Sequence, residues 1–417
     1  MPIHPMISAL RRHKAGVVLI ALQIALTLAI VCNAMFIISQ RIQRANRSTG
    51  LDGQDLYLVT QQWVGAPTGD DAASIQKLDA MQREDLAALR ALPDVASVSP
   101  INAIPLSGSS WVGSISLKPD SSLLGSDARS VFYFGDENFL HTLGLHLVAG
   151  RDFNAGDVGN KGSSNHTQAG TAMVNKALAD RLFPHGDAIG KVVYLNGRST
   201  PSTIVGVIQN LQTTSNDGWV GSFEGYSVIE PLRLNGNLSH YAVRAKPGRL
   251  LAAMRATAPA LYQVDPLRVL DDDSLKSYAD IRGEAHRADV GMAALMSVIC
   301  LILLSVTAAG IVGLSSFWVG QRQRQIGVRR ALGARKADIL HYFQMENLLI
   351  AGLGSATGVV LAVGLNLQLM KHYEMAHMPV AYVLAGTALV LLLSQCAVFI
   401  PARRASNVPP VVATRAT

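Results

Sequence analysis

The chain has 417 residues, is 49% hydrophobic and carries a net charge of +7 at pH 7. This length allows two or three folding units. The charge is unevenly placed: Arg41–Asp289 holds 23 basic and 26 acidic residues, whereas the remainder holds 13 and 3. Because the basic excess lies beside apolar segments, it follows the topology rule of membrane proteins and argues against a nucleic-acid groove.

Three cysteines, Cys32, Cys300 and Cys396, all lie in apolar runs. The long polar middle region has none, so disulfides cannot hold that region together. No pair has the spacing of a thiolate metal site or a dithiol motif.

The first apolar run extends from Gly16 to Ser39. Roughly 24 residues at 1.5 Å each are enough to cross a bilayer. The apolar stretch of a signal peptide would be about half as long, so we predict an uncleaved anchor. Three more spans are predicted at Val290–Val319, Leu348–Leu369 and Pro379–Ile400. In the third, Gly354 and Gly358 form G-x-x-x-G, a motif that lets helices approach closely.

The region between the first two spans, Gly50 to about Arg287, reads as α+β. Its first strand, Leu56–Val59, precedes a helical pattern at Asp71–Leu92 and a strand at Val95–Val98, which predicts a βαβ-type unit. The Gly- and Ser-rich stretch Asp157–Gly170 predicts a loop. A short helix is expected over Phe139–Leu147 and a helical stalk over Asp271–Asp289, while strand-then-helix units are expected at Thr171–Phe183 and Tyr241–Tyr262.

A basic segment, Gln321–Glu346, separates the second span from the third. Its six cations predict that it stays in the cytoplasm. Arg322–Leu332 has good helix formers, Gly333 suits a left-handed cap, and a new helix is expected from Ala334. Two interpretations stay open from charge and periodicity: a helix lying on anionic lipid, or one that docks into a soluble partner.

Residues Gln325–Ala334 read QIGVRRALGA. This run resembles the coupling-helix motif of MacB/FtsX-type ABC transporter permeases, although Gln325 stands where the family commonly has Glu. The resemblance implies that a coupling helix at 321–333 contacts an ATPase. The residues it assigns to that contact are Gln325, Ile326, Gly327, Val328, Arg329, Arg330, Leu332 and Gly333.

The middle region is similar to the MacB periplasmic core at Phe139–Leu145, Gly150–Phe153, Ala179–Lys191 and Thr203–Gly206. The resemblance also covers the C-terminal Pro401–Ser406 and Pro409–Pro410. It implies a periplasmic domain of two lobes, Porter and Sabre, between spans one and two of a four-helix membrane protein. The implied divisions are 1–48 (first span), 49–275 (MacB-like core, with Porter at 50–115 and 225–275 and Sabre at 116–224) and 276–417 (stalk, later spans, coupling helix and tail).

No catalytic set, cofactor site or metal site is predicted. Gly186–Lys191 is one residue short of a P-loop, and Val192 stands where Ser or Thr would hold magnesium. His141 and His146 lack carboxylates at metal spacing. The four spans have no ionisable residue at their centres, which argues against an ion or solute path. We therefore expect a non-catalytic subunit, with ATP bound by a separate polypeptide.

The resemblance implies an inner-membrane permease with both termini cytoplasmic and the large domain periplasmic, moving its lobes when the ATPases close. The implied partners are an ABC ATPase, a second permease copy (identical or paralogous), membrane lipid, and a MacA-type adaptor with an outer-membrane duct. Alternatives are a lipoprotein-releasing permease, an FtsX-type regulator and a membrane-anchored sensor. Ile326→Asp or Gly333→Pro is expected to uncouple ATP hydrolysis from export without unfolding the protein.

Overall fold

The computed structural model describes residues 14–108, 111–119, 125–162, 167–214, 225–271, 273–373 and 377–407. The chain divides into two units. One, called here the helical unit, comprises 1–45 and 289–417, and the other, called the α/β unit, comprises Asn46–Ala288. The tail residues Pro409 and Pro410 lie outside the described residues.

The helices are numbered in chain order. They are α1 (Lys14–Ala45), α2 (Ala72–Arg90), α3 (Phe139–Leu143), α4 (Lys176–Leu182), α5 (Leu250–Val264), α6 (Tyr278–Gln321), α7 (Gln323–Ala331), α8 (Lys336–Tyr373) and α9 (Val380–Ser406). Four of them, α1, α6, α8 and α9, are long and apolar enough to cross a membrane.

The strands are likewise numbered in chain order. They are β1 (Leu56–Trp63), β2 (Val95–Ile101), β3 (Trp111–Ser116), β4 (Ala128–Phe134), β5 (Leu147–Gly150), β6 (Gly159–Gly162), β7 (Thr171–Asn175), β8 (Val192–Leu195), β9 (Pro201–Ile208), β10 (Ser227–Glu230), β11 (Leu232–Asn235), β12 (Leu238–Ala245), β13 (Arg268–Val269) and β14 (Leu275–Ser277).

Five strands form the first sheet, in the order β13-β1-β12-β2 with β14 also paired to β1. β1 and β2 are each antiparallel to β12, so they run parallel with β12 between them. The predicted strand-helix-strand elements are present, but the two strands are not neighbours. Asp71 caps α2 by accepting hydrogen bonds from the N–H groups of Ala73 and Ser74. Leu86 and Leu89 of α2 pack with Tyr57 of β1 in the apolar core of this sheet.

Seven strands form the second sheet, in the order β5-β9-β7-β10-β4-β3-β8. β8 also pairs with β9, which closes six of these strands into a ring. Successive side chains of a strand face opposite sides of a sheet. Phe132 and Phe134 of β4 accordingly pack in one apolar cluster, while Val131 and Tyr133 pack in another.

The two sheets share one apolar core. Leu56 and Ala242 of the first sheet pack in the same cluster as Tyr133 and Ile229 of the second, together with Tyr278 at the start of α6. Hydrogen bonds reinforce the junction, because Ser99 donates to Asp136 at 2.7 Å. The α/β unit therefore has a continuous interior across its five-stranded and seven-stranded sheets.

Three expectations for the middle region are corrected. The stretch expected to be a loop over Asp157–Gly170 contains β6, which is parallel to β11 and was hidden by its Gly and Asn content. The stalk helix begins at Tyr278 and not at Asp271, because β14 pairs with β1 before it. The short helix α3 ends at Leu143, where Gly144 takes a left-handed φ of 65°.

The lobe limits expected at 115/116 and 224/225 stay a prediction. The boundaries of the seven-stranded sheet do not coincide with these predicted lobe limits. β3 begins at Trp111 and β10 ends at Glu230, and both strands belong to the seven-stranded sheet.

A buried carboxyl, that of Glu230, lies at the end of β10. Glu230 is 3% exposed, accepts a hydrogen bond from the N–H of Ala169, and faces the cations of Lys161 and Arg198. Burial raises the pKa of Glu230 from 4.5 to about 7 and lowers the pKa of Lys161, which also faces Asp70. The carboxyl therefore binds its proton more tightly when folded than when unfolded.

That shift predicts a pH-dependent stability. The contribution of Glu230 is fully present below about 4.5 and is lost as pH rises through about 7, at a cost of about 3 kcal/mol. We expect the full chain to melt at a lower temperature at pH 8 than at pH 5, and Glu230→Gln to remove most of the difference. Equal pH profiles for the two proteins in differential scanning calorimetry would contradict this assignment.

In the helical unit, α1 packs closely against α8. A Cβ at Gly354 would lie 2.8 Å from the carbonyl oxygen of Ala21, and one at Gly358 would lie 3.0 Å from that of Ala25. Polar groups join the helices as well. Gln23 of α1 donates to the carbonyl of Val306 on α6 at 3.1 Å.

Gly354→Leu is expected to force α1 and α8 apart, because the new side chain meets backbone and not a movable side-chain end. Overpacking of this kind costs about 1–3 kcal/mol. Gly352→Leu is the matched control, since a Cβ at Gly352 meets nothing within 4 Å. Thermal unfolding in detergent should separate the two variants by several degrees, and identical midpoints would show that the contact is unimportant.

Candidate functional site

The segment between the second and third candidate spans forms a helix with a defined end. After α7, the N–H of Ala334 bonds to the carbonyl of Arg329 and the N–H of Gly333 bonds to that of Arg330. This is a Schellman cap, which needs a left-handed residue, and Gly333 has φ 96°. Asp338 then accepts from the N–H of Arg335 at 2.9 Å and caps the start of α8. The cap fixes the turn between the two helices.

The inner side of α7 is apolar. Ile326 is 4% exposed and packs with Val319, Ile339, Phe343 and Ala402. The side chain of Ile326 therefore anchors α7 within the helical unit, and the ATPase contact that the resemblance assigns to this residue stays a prediction. Gly327 is buried beside it.

Three arginines of this segment also make contacts within the helical unit. Arg322 Nη1 donates to both carboxylate oxygens of Glu346 at 3.0 and 2.9 Å. Arg330 donates to the carbonyl of Ser406 at 3.2 Å. The guanidinium of Arg329 lies over the ring of Tyr342, 4.9 Å from its centroid. These cations hold α7 against α8 and α9.

The outer side of α7 differs from the inner side. Arg324, Val328 and Leu332 are spaced by four residues, so they share one helix face. Val328 is 44% exposed and Leu332 83% exposed, and Arg324, Gln325 and Arg329 are exposed too. We call Arg324, Gln325, Val328 and Leu332 the outer face. It combines apolar and cationic groups that are available to a partner.

In the described residues, no group of three or more His, Cys, Asp or Glu side chains is placed to hold a metal ion. The segment resembling a P-loop forms a turn, with Gly186 and Gly190 at φ 80° and 78° and Lys191 paired to Asp187 at 2.9 Å.

Two family profiles match the chain. That of the MacB-like periplasmic core domain covers residues 18–261, and that of the FtsX-like permease C-terminal domain covers 297–410. The chain belongs to the MacB-type ABC transporter permeases. It is thus a membrane protein whose α/β unit is extracytoplasmic, and α7 lies within the FtsX-like domain.

Curated relatives of this permease include macrolide export ATP-binding/permease proteins. MacB of Bartonella henselae is 25% identical over 342 residues, covering 81% of this chain and 48% of the relative. MacB 2 of Aeromonas hydrophila is 27% identical over 358 residues, covering 84% and 50%. The permease spans about half the length of the curated relatives it matches.

Among solved structures, the periplasmic region of MacB from Actinobacillus actinomycetemcomitans is 14% identical, with a TM-score of 0.34. It covers 56% of this chain and 94% of its own length. The extracellular domain of the transporter YknZ from Gram-positive bacteria gives 14% identity and a TM-score of 0.32, covering 52% and 98%.

The sequence indicated the position of α7 and its glycine cap but not which sides of the helix face inward. The sequence also gives no indication of the role of Glu346, which is 3% exposed and pairs with Arg322. A buried acid 24 residues from its basic partner leaves no local signal.

Proposed function

We propose that this permease transmits force from a cytoplasmic ABC ATPase to its extracytoplasmic domain, and that this drives export of a substrate from the far side of the inner membrane. The observation that carries the proposal is the outer face of α7. Leu332 and Val328 stand exposed among cations on a helix held between two candidate spans. Burying these two apolar side chains against a partner would be favourable in free energy.

The division of α7 into two sides supports this role. Ile326, Arg322 and Arg330 hold the helix within the helical unit, so a push on Leu332 and Val328 would be carried into the spans. Arg324 and Arg329 would meet acidic groups of the ATPase. In this proposal Arg330 supports the helix instead of contacting the ATPase, and Gln325 contributes a neutral hydrogen-bonding group.

The shared core of the extracytoplasmic domain favours movement of that domain as one body. Its five-stranded and seven-stranded sheets share a core with Tyr278 and Ile281, in the first turn of α6. Separating the sheets would expose that core, so motion of α6 is proposed to move the domain as one body. In this proposal the extracytoplasmic domains of two permease copies move relative to each other. The expectation from the sequence was instead that the two lobes within one copy move.

The proposal predicts a stable complex. The full chain, purified in mild detergent with its native partners, should retain an ABC ATPase and a second permease chain. Purified permease alone should not hydrolyse ATP, whereas the complex should. Hydrolysis by the permease alone, or absence of any ATPase from the complex, would contradict the proposal.

The orientation of α7 in the membrane is tested in whole cells. We propose that α7 and both chain ends face the cytoplasm of a bacterium, which the cation-rich segment favours. A cysteine introduced at Gln323 should then react with a membrane-impermeant maleimide only after the inner membrane is opened. Labelling of intact spheroplasts would place α7 outside.

A further inference from the structure

The ion pair Arg322–Glu346 joins two parts of the helical unit that are distant in sequence. Arg322 lies between α6 and α7, where its N–H bonds to the carbonyls of Trp318 and Val319. Glu346 lies within α8. Both oxygens of its carboxylate accept from one nitrogen of Arg322, and the side chains are 13% and 4% exposed. The pair is therefore nearly dehydrated.

Burial makes this pair sensitive to geometry. A buried charge is costly unless its partner stays in place, so separating Arg322 from Glu346 costs far more than separating an exposed pair. An apolar contact is non-directional, so two helices can slide past each other while keeping it. An ion pair joined by two hydrogen bonds is lost when either helix is displaced. The α6–α7 junction is thus fixed to one position along α8.

Asn347, the residue after Glu346, connects α8 to α9. Asn347 donates to the carbonyl of Ser394 on α9 at 3.1 Å and is 4% exposed. At the other end of α7, Arg330 bonds to the carbonyl of Ser406 on the same helix. Farther along α8, Gly354 and Gly358 contact α1. A continuous set of contacts therefore runs from the α6–α7 junction through α8 to α9 and α1.

We infer that Arg322 and Glu346 are a positioning pair that makes α7 and α8 move together, so that displacement of α7 reaches α8, α9 and α1 as well as α6. The inference rests on the proposed function, since it requires an ATPase to move α7. It assigns to Arg322 a role in transmission and none in capture of the ATPase.

The test separates capture from transmission in the full permease–ATPase complex. Capture is the amount of ATPase that co-purifies with the permease. Transmission is the ATP-dependent change in the rate at which trypsin cleaves the extracytoplasmic domain of the reconstituted complex. Glu346→Gln and Arg322→Gln should leave capture within twofold of wild type and reduce the ATP-dependent change at least fivefold.

Two further variants keep the test decisive if the single variants unfold. Arg322→Met/Glu346→Leu leaves no unpaired buried charge and is expected to keep the melting temperature, yet it should still lose the ATP-dependent change. Arg322→Glu/Glu346→Arg should recover at least half of it. Lys371→Gln, an exposed charge near the far end of α8, should behave as wild type.

The outcomes are distinct. A full ATP-dependent change in Arg322→Met/Glu346→Leu would overturn the positioning role while leaving the proposed function intact. Loss of capture in that variant would overturn it too, because the pair would then serve binding. A wild-type complex without ATPase, or without any ATP-dependent change, would instead contradict the proposed function.

Discussion

Leu332→Asn is expected to weaken capture of the proposed ATPase partner by the permease about 30-fold. Leu332 is 83% exposed on the outer face, so burying it against a partner is worth about 2 kcal/mol, and that free energy corresponds to this factor. Asn is tolerated near a helix C-terminus, so the Gly333 cap should persist. Titration of purified ATPase against the permease in nanodiscs, followed by light scattering or fluorescence, measures the change.

Two further variants serve as comparisons for Leu332→Asn. Gln323→Asn changes an exposed residue on a different side of α7 and should leave capture unchanged. Ile326→Asp buries a charge among Val319, Phe343 and Ala402. Contrary to the expectation from the sequence, it should therefore lower the melting temperature of the permease as well as capture. If Leu332→Asn captures the ATPase as well as wild type, the outer face is not the contact.

Arg268→Met is expected to destabilise the extracytoplasmic domain by about 3–5 kcal/mol, because it leaves a buried carboxylate without its counter-charge. Arg268 and Asp85 have side chains that are 0% exposed and are joined at 2.8 Å. Gln61 Oε1 accepts from Arg268 at 3.0 Å, and Tyr241 donates to Asp85 at 2.9 Å. Burial raises the pKa of Asp85, while the Arg268 guanidinium acts in the opposite direction.

Hydrogen exchange measures this effect in the full chain. In Arg268→Met, amides of β1 and β13 should exchange faster by a factor of about 100 or more, since Trp63 pairs with residue 268. Asp85→Leu/Arg268→Met removes both charges and should recover much of the protection. A single variant as protected as wild type would mean that the pair contributes little to stability.

Local patterns predicted local structure well. Leu56–Val59, Asp71–Leu92 and Val95–Val98 each became the expected element, because alternation, helical spacing and the Asp71 cap act within a few residues. Gly333 likewise indicated its own φ. The four spans followed from apolar length, which is a property of composition.

What the sequence did not predict depends on contacts between distant residues. β6 has the sequence GNKG and forms only because β11 supplies its hydrogen-bonding partner. In α7, apolar residues lie on both sides, so periodicity alone could not distinguish the anchored Ile326 from the exposed Leu332. The partners of Ile326 come from three other helices.

The position of β1 has a consequence for how the protein is made. All three strands that pair with β1 are encoded after residue 237, so this strand emerges from the translocation channel long before its partners exist. An unpaired strand edge is prone to aggregation, and pairing over such sequence distances is slow. Biogenesis of the extracytoplasmic domain should therefore depend on chaperones that shield Leu56–Trp63 until β12 has been exported.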